Sequence, residues 1–257
     1  MRRLNIRASL RKARFDVKGQ ASSAITIHGV AHGAMLLEVI VCSVRDAIEA
    51  ERGGAGRLEL VRELHRGGMT PSIDLVEAVL SAVTIPVRVM IREADGFDAG
   101  DARQVDHLAD LARRFASIGV PGLVCGFLRD GRIDVAAMDA VVAACGSSRL
   151  TFHHAFDDLP DPVAALRHLE RWPSVDRVLT TGGAGDWTRK AKRIREWAGV
   201  TRSIGILAGG GMDIGALRIL SAAGQPEAHV GRAAREPATV EGAVTSVKVA
   251  ELVKAVS

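Results

Sequence analysis

The sequence predicts an α/β protein, a single (β/α)8 TIM-type barrel, and three observations carry that prediction. Eight short apolar runs recur between residues 36 and 232, each is followed by a stretch with helical periodicity, and 257 residues suit one barrel of typically about 250. Polar residues gather where the runs end, which is where barrels of this kind place their chemistry.

The first strand is expected over 36–41. Ser43, with Asp46 three residues on, makes a capping-box-like start to a helix that stops near Gly53 and Gly54. A second strand over 57–61 leads through a loop to Thr70 and Pro71, read as N-cap and first residue of the next helix. The third strand, 87–92, precedes an acidic loop and a helix over 102–118; the fourth, 123–128, precedes a helix over 135–144. The second half repeats the scheme with strands over 150–157, 175–181, 204–208 and 228–232. Its helices are expected over 161–171, 186–198, 213–223 and 238–255. Right-handed crossovers make all these strands parallel.

Composition narrows the function. Apolar residues at 47% and charged residues at 25% fit a soluble domain, while 4% aromatics and no tyrosine argue against stacking platforms for single-stranded nucleic acid. The net charge of +4 is local: Arg2, Arg3, Arg7, Arg11, Lys12, Arg14 and Lys18 face Asp16 alone, and the remaining chain is slightly acidic. Residues 1–34 are therefore expected to be a basic, disordered extension and 35–257 the barrel, with neither nucleic acid nor membrane as partner. His28, Gly29, His32 and Gly33 interrupt the apolar stretch a cleaved signal would need, and no run approaches the ~20 apolar residues of a membrane span. Cys42, Cys125 and Cys145 are odd in number and lack CxxC spacing, as in a reducing compartment, so a cytoplasmic location is expected.

Alternation along each strand sorts side chains onto two faces. Val87, Val89 and Ile91 should pack on helices, leaving Arg88, Met90 and Arg92 inside the barrel. The same parity puts Glu38, Ile40 and Cys42 inside, with Glu59 and Val61, and the row Thr151, His153, Ala155 and Asp157; Phe152, His154 and Phe156 should face the helices. Ionised groups withdrawn from water must be paired. In one reading Glu38 and Glu59 bridge to Arg88 and Arg92 in a buried network. In another, Glu38, Glu59, His153 and Asp157 are catalytic, with His153 or Glu38 as general acid or base and Asp157 orienting a catalytic group, while Arg88, Arg92 and His229 hold an anion. Gly209, Gly210 and Gly211 after the seventh strand, and Gly231 at the end of the eighth, stand where barrels build phosphate sites from backbone N–H groups, although such a triplet also serves as a simple turn. The clear inner positions include no lysine, which disfavours Schiff-base chemistry.

Several short motifs then occur in order: Leu37-Glu38-Val39, Glu51-Arg52-Gly53-Gly54-Ala55, Arg57-Leu58-Glu59-Leu60, Gly67-Gly68-Met69-Thr70-Pro71-Ser72, Val87-Arg88-Val89-Met90-Ile91-Arg92, Thr151-Phe152-His153 and the glycine triplet. From Met35 to about Arg235 the chain resembles the CutC family. The resemblance implies a cytoplasmic (β/α)8 barrel, often a homodimer, associated with copper homeostasis, with a copper ion or a small anionic molecule as ligand. Family members described as copper-binding carry a cysteine two residues after the glutamate of the first and second strands, where this chain has Ile40 and Val61. Cys42, Met90 and His153 are the remaining soft or borderline candidates for copper. The alternative is an enzyme acting on a small phosphorylated or anionic metabolite by acid/base chemistry at the barrel mouth. The sequence leaves open whether the protein is an enzyme.

Overall fold

The computed structural model describes residues 35–257; the basic extension expected over 1–34 lies outside the described residues. Eight parallel strands follow chain order around a closed barrel: β1 (Leu36–Val41), β2 (Arg57–Leu60), β3 (Val87–Met90), β4 (Gly122–Cys125), β5 (Arg149–Phe152), β6 (Val175–Thr180), β7 (Gly205–Ala208) and β8 (Glu227–Val230). β8 pairs back on β1, with His229 beside Glu38, and this closes the ring.

Eight helices surround it: α1 (Val44–Arg52), α2 (Ile73–Ala82), α3 (Ala102–Ser117), α4 (Val135–Ala144), α5 (Pro162–Leu169), α6 (Trp187–Ala198), α7 (Ile214–Ala222) and α8 (Ser246–Lys254). Each starts at a side-chain cap that satisfies an otherwise orphaned N–H, from Ser43, Ser72, Asp101, Asp134, Asp161, Asp186, Asp213 and Thr245 in turn. Two starts differ from expectation. Ser72, not Thr70, caps α2, because Thr70 is engaged at the end of β3: its hydroxyl donates to the Arg92 carbonyl (3.1 Å) and accepts from the Arg92 amide (2.9 Å). The last helix begins at Ser246, because residues 235–244 form a hairpin pairing Arg235–Glu236 with Ala243–Val244. The buried Arg235 guanidinium pins its base, donating to the carbonyls of Gly242 (2.7 Å) and Ile40 (3.0 Å). The fourth strand likewise stops early, and Leu128 joins a second hairpin instead.

The outward rows of the strands, among them Leu37, Val39, Leu58, Val87, Val89, Ile91, Leu123 and Phe152, are buried against the helices as alternation predicts. Each such side chain contributes about 1.5–3 kcal/mol when fully buried. The inward rows stack in layers contributed by alternate strands, as strand register dictates. Arg57, Gly122, Arg177 and Glu227 form the lowest layer. Above it lie Glu38, Arg88, Thr151 and Leu207, then Glu59, Val124, Leu179 and His229. Glycines make room for the large members: a Cβ on Gly122 would lie 2.8 Å from Arg88 Cγ, and one on Gly209 would lie 2.6 Å from Leu179 Cδ1. Gly122→Val should therefore lower stability by about 1–3 kcal/mol through overpacking, seen as a reduced urea midpoint at unchanged slope. An unchanged midpoint would contradict the layer order.

Candidate functional site

The two lowest layers are closed by ion pairs. Arg57 Nη2 donates to Glu227 Oε2 (2.7 Å) and its Nε to Glu38; Arg177 Nη2 donates to Glu227 Oε1 (2.8 Å). Arg88 donates from Nη2 to Asp176 (2.8 Å) and from Nη1 to the Thr151 hydroxyl (2.8 Å). Three guanidinium groups thus meet the carboxylates of Glu38, Asp176 and Glu227, leaving no net charge to solvate. The predicted network exists, but its pairs differ: Glu38 bonds to Arg57 rather than Arg88, and Arg88 is buried below the cavity lining, paired with Asp176.

Glu38 also fixes what lies above it. Its Oε1 accepts from His229 Nδ1 (2.8 Å), which places the imidazole proton on Nδ1 and turns Nε2 toward Glu59, 3.6 Å from Oε2. Burial alone would raise the Glu38 carboxyl, yet Arg57 and His229 hold it well below the usual carboxylate range. Glu59 has no such cation bonded to it. Burial pushes its carboxyl up to about 7, opposed by His229 and reinforced by the Glu38 charge. Burial would lower His229, but Glu59 and Glu38 lift it above the ordinary histidine value. Glu59 and His229 therefore titrate as a coupled pair, each shifted upward by its surroundings.

Glu59 and His229 form part of the floor of a cavity of about 550 Å³ at the C-terminal ends of the strands. Ile40, Val61, Met90, His153 and Leu179 also line it, and Phe97, Arg66, Arg92, Gly210, Gly211, Arg232 and the hairpin residues Ala238 and Val240 form its walls. His153 stands where β5 stops. The strand ends at Phe152 instead of continuing to 157, because His153 Nδ1 accepts from the Ala155 amide (3.2 Å) and opens a 3-10 turn over His154–Asp158. Strand parity fails beyond that point. His154, expected to face the helices, lines the mouth, while Phe156 does pack outward on Trp197 (5.8 Å between ring centres). Asp157 leaves the inner row and lies outside the cavity lining; it ties β5 to β6 by accepting from the Thr181 amide (3.0 Å) and bonds to His154 Nδ1 (2.9 Å). Burial, with His154 and Arg92 nearby, pushes the His153 imidazole down to about 3, so it is neutral. With Nδ1 accepting, Nε2 carries the proton.

Arg92, just past β3, lines the wall above Phe97 (5.6 Å), and its guanidinium donates to the carbonyls of Gly96 (3.0 Å) and Arg66 (3.0 Å). Arg232 is exposed and meets no carboxylate among the described residues. Gly210 and Gly211 have φ of +101° and +70°, and their amides take no part in the loop's backbone hydrogen bonds. Gly209 instead lies under the lining against Leu179 and His229, and Gly231 borders Ile40. Of the residues read from the sequence, the fold thus gathers Glu59, His153, Arg92, Gly210, Gly211, His229, Gly231 and Met90 at one cavity. Glu38 sits beneath its floor.

Of the copper candidates, Met90 and His153 line the cavity, and Cys42 packs against the Val61–Met90 cluster from the side. Cys42 lines a separate recess with Asp46 and Arg235, and burial raises its thiol, which disfavours the thiolate that copper(I) prefers. Among the described residues no three His, Cys, Asp or Glu side chains are grouped to hold a metal ion. Sequence reasoning missed Arg57, Asp176, Arg177 and Glu227 below the floor, and Arg66, Phe97 and Arg232 at the mouth. Arg57 and Glu227 were legible, each standing two residues before an inward Glu59 or His229; Asp176 was not, because register shifts between β5 and β6 at Leu150/Thr151.

Fold and site together define a (β/α)8 barrel with an acid/base floor and a cationic rim. The CutC family model matches residues 35–234, and the chain belongs to the CutC family. It is 40% identical over 206 residues to the human copper homeostasis protein cutC homolog and 39% identical over 202 residues to the mouse one; these matches cover 78% and 77% of this chain and 74% of each relative. The CutC family protein of Salmonella schwarzengrund is 37% identical over 196 residues, covering 76% of this chain and 78% of that protein. The crystal structure of CutC from Streptococcus agalactiae superposes with a TM-score of 0.70 at 25% identity, over 77% of this chain and 98% of that one. Thiamine phosphate pyrophosphorylase of Pyrococcus furiosus, at 13% identity and a TM-score of 0.58 over 87% of this chain and 96% of that one, shares the fold.

The two glutamates should give opposite pH signatures. Glu38, depressed in the folded state, stabilises above its unfolded value of 4.5, and that contribution is lost as pH falls through its folded value. Glu59, raised, is best tolerated below 4.5 and costs stability as pH rises toward 7. Urea unfolding from pH 4 to 8 should show Glu59→Gln gaining on the wild type as pH rises across that window, and Glu38→Gln destabilised at neutral pH by roughly 3–5 kcal/mol, because the three guanidinium groups then face only Asp176 and Glu227. Parallel curves for wild type and Glu59→Gln would refute the assignment.

Proposed function

We propose that this chain takes part in copper homeostasis, the role named in its human and mouse relatives, through a small-molecule site at the barrel mouth rather than by holding copper in a thiolate site. One observation carries the reading: the mouth sets Glu59 beside His229 (3.6 Å) with Arg232, which meets no carboxylate among the described residues, while Cys42 lines another recess and Cys125, at the end of β4, is buried in the core. Ile40 and Val61, at positions where a thiolate pair would give copper(I) soft ligands, make this part of the floor apolar. A ligand here meets cations and free amides at the rim and an acid/base pair below, a combination suited to a small anionic metabolite.

Copper(I) titrated under reducing conditions should show no stoichiometric binding that depends on Cys42. In cells deleted for this chain, copper tolerance should be restored by the wild type and by Cys42→Ala, and not by Arg232→Gln. Tight binding lost in Cys42→Ala, with loss of rescue by the same variant, would overturn the reading.

A further inference from the structure

Two buried polar atoms beside the cavity have no partner among the described residues. Glu59 Oε1 is an acceptor, and His153 Nε2, by the tautomer its Nδ1 contact imposes, is a donor. Both residues line the mouth and are at least 96% buried. An unmet buried polar group costs about 1–3 kcal/mol, so a donor and an acceptor left open at one site define the ligand that would satisfy them. The acceptor calls for a hydroxyl or an acidic C–H. The donor calls for an oxygen. Arg232, with Gly210 and Gly211 beside it in the lining and their amides outside the loop's backbone hydrogen bonds, calls for an anionic group at the rim. The cavity lining includes no lysine, which leaves Schiff-base routes without a nucleophile there.

Resting on the reading that the mouth is the working site, we propose that it is a general acid–base centre that shifts a proton between adjacent carbons of a short-chain phosphorylated α-hydroxy carbonyl compound. Glu59, as carboxylate, takes the proton from the hydroxyl-bearing carbon. The C–H electron pair becomes the C=C bond of an enediol, and the carbonyl π pair moves to oxygen, which takes a proton from the His229 imidazolium while His153 Nε2 donates a hydrogen bond to it. Glu59 then returns its proton to the former carbonyl carbon, and the other hydroxyl gives its proton to His229. The product is the isomeric carbonyl compound, both side chains regain their starting states, and no oxidant or metal is needed. Glu38 is a positioning residue: its bond to Nδ1 keeps His229 Nε2 directed at Glu59.

The test follows hydrogen exchange in heavy water by NMR, with three-, four- and five-carbon aldose phosphates as probes. Wild-type protein should wash deuterium into the carbon next to the carbonyl of at least one probe. The rate should fall by about 10²-fold or more in Glu59→Gln and in His229→Asn, with Glu59→Asp recovering part of it. Circular dichroism of each variant checks the fold. Arg232→Gln should raise KM and leave kcat nearly unchanged. Exchange on none of the probes, or exchange that survives Glu59→Gln, overturns the proposal. Inorganic phosphate separates the two failures: a rise in Tm for the wild type that Arg232→Gln abolishes preserves the mouth as an anion site even if proton transfer fails, whereas no rise removes both readings.

Discussion

Everything above the middle of this barrel depends on the bond between Glu38 and Arg57. It neutralises a carboxylate on the axis, and the neutralised carboxylate can then hold His229 by Nδ1. Without it Glu38 would compete for the proton that defines the imidazole's orientation, and His229 would have no fixed relation to Glu59. The lower layers are thus more than a plug. They form a rigid electrostatic base in which three guanidinium groups and three carboxylates cancel, so that the unbalanced chemistry is confined to the layer that solvent and ligand can reach.

Much of this was legible in the amino-acid order, because alternation is a strict consequence of strand geometry. Val87, Val89 and Ile91 pack outward, and Glu38, Glu59, Arg88 and His229 face the axis, as parity requires. What parity cannot supply is height. Arg88 and Arg92 share a face, yet one is buried below the floor and the other lines the wall, because β3 ends between them. Nor can it foresee where a strand stops. His153 ends β5 by using its own ring nitrogen as a cap, and that single hydrogen bond turns Asp157 away from the axis and His154 into the mouth.

Copper enters through the relatives, and the residues of this member qualify how. Thiolates bind copper(I) when they are ionised and gathered; here Cys125 is buried with its thiol pushed up to about 12, Cys42 is raised by burial, and the floor between them carries Ile40, Val61 and Met90. A protein can influence the handling of a metal by transforming a small molecule without ever ligating the ion. Family membership and site chemistry are then compatible.

The hairpin over 235–244 divides anchorage from contact. Arg235 clamps its base to β1 and to Gly242, while Ala238 and Val240 near its turn form one side of the mouth. Changes of bulk at those two positions would reshape the entrance while the buried clamp and the proton-handling groups stay in place. The width of the entrance is therefore adjustable independently of the charged layers beneath it, because the hairpin that shapes one is anchored apart from the strands that carry the other.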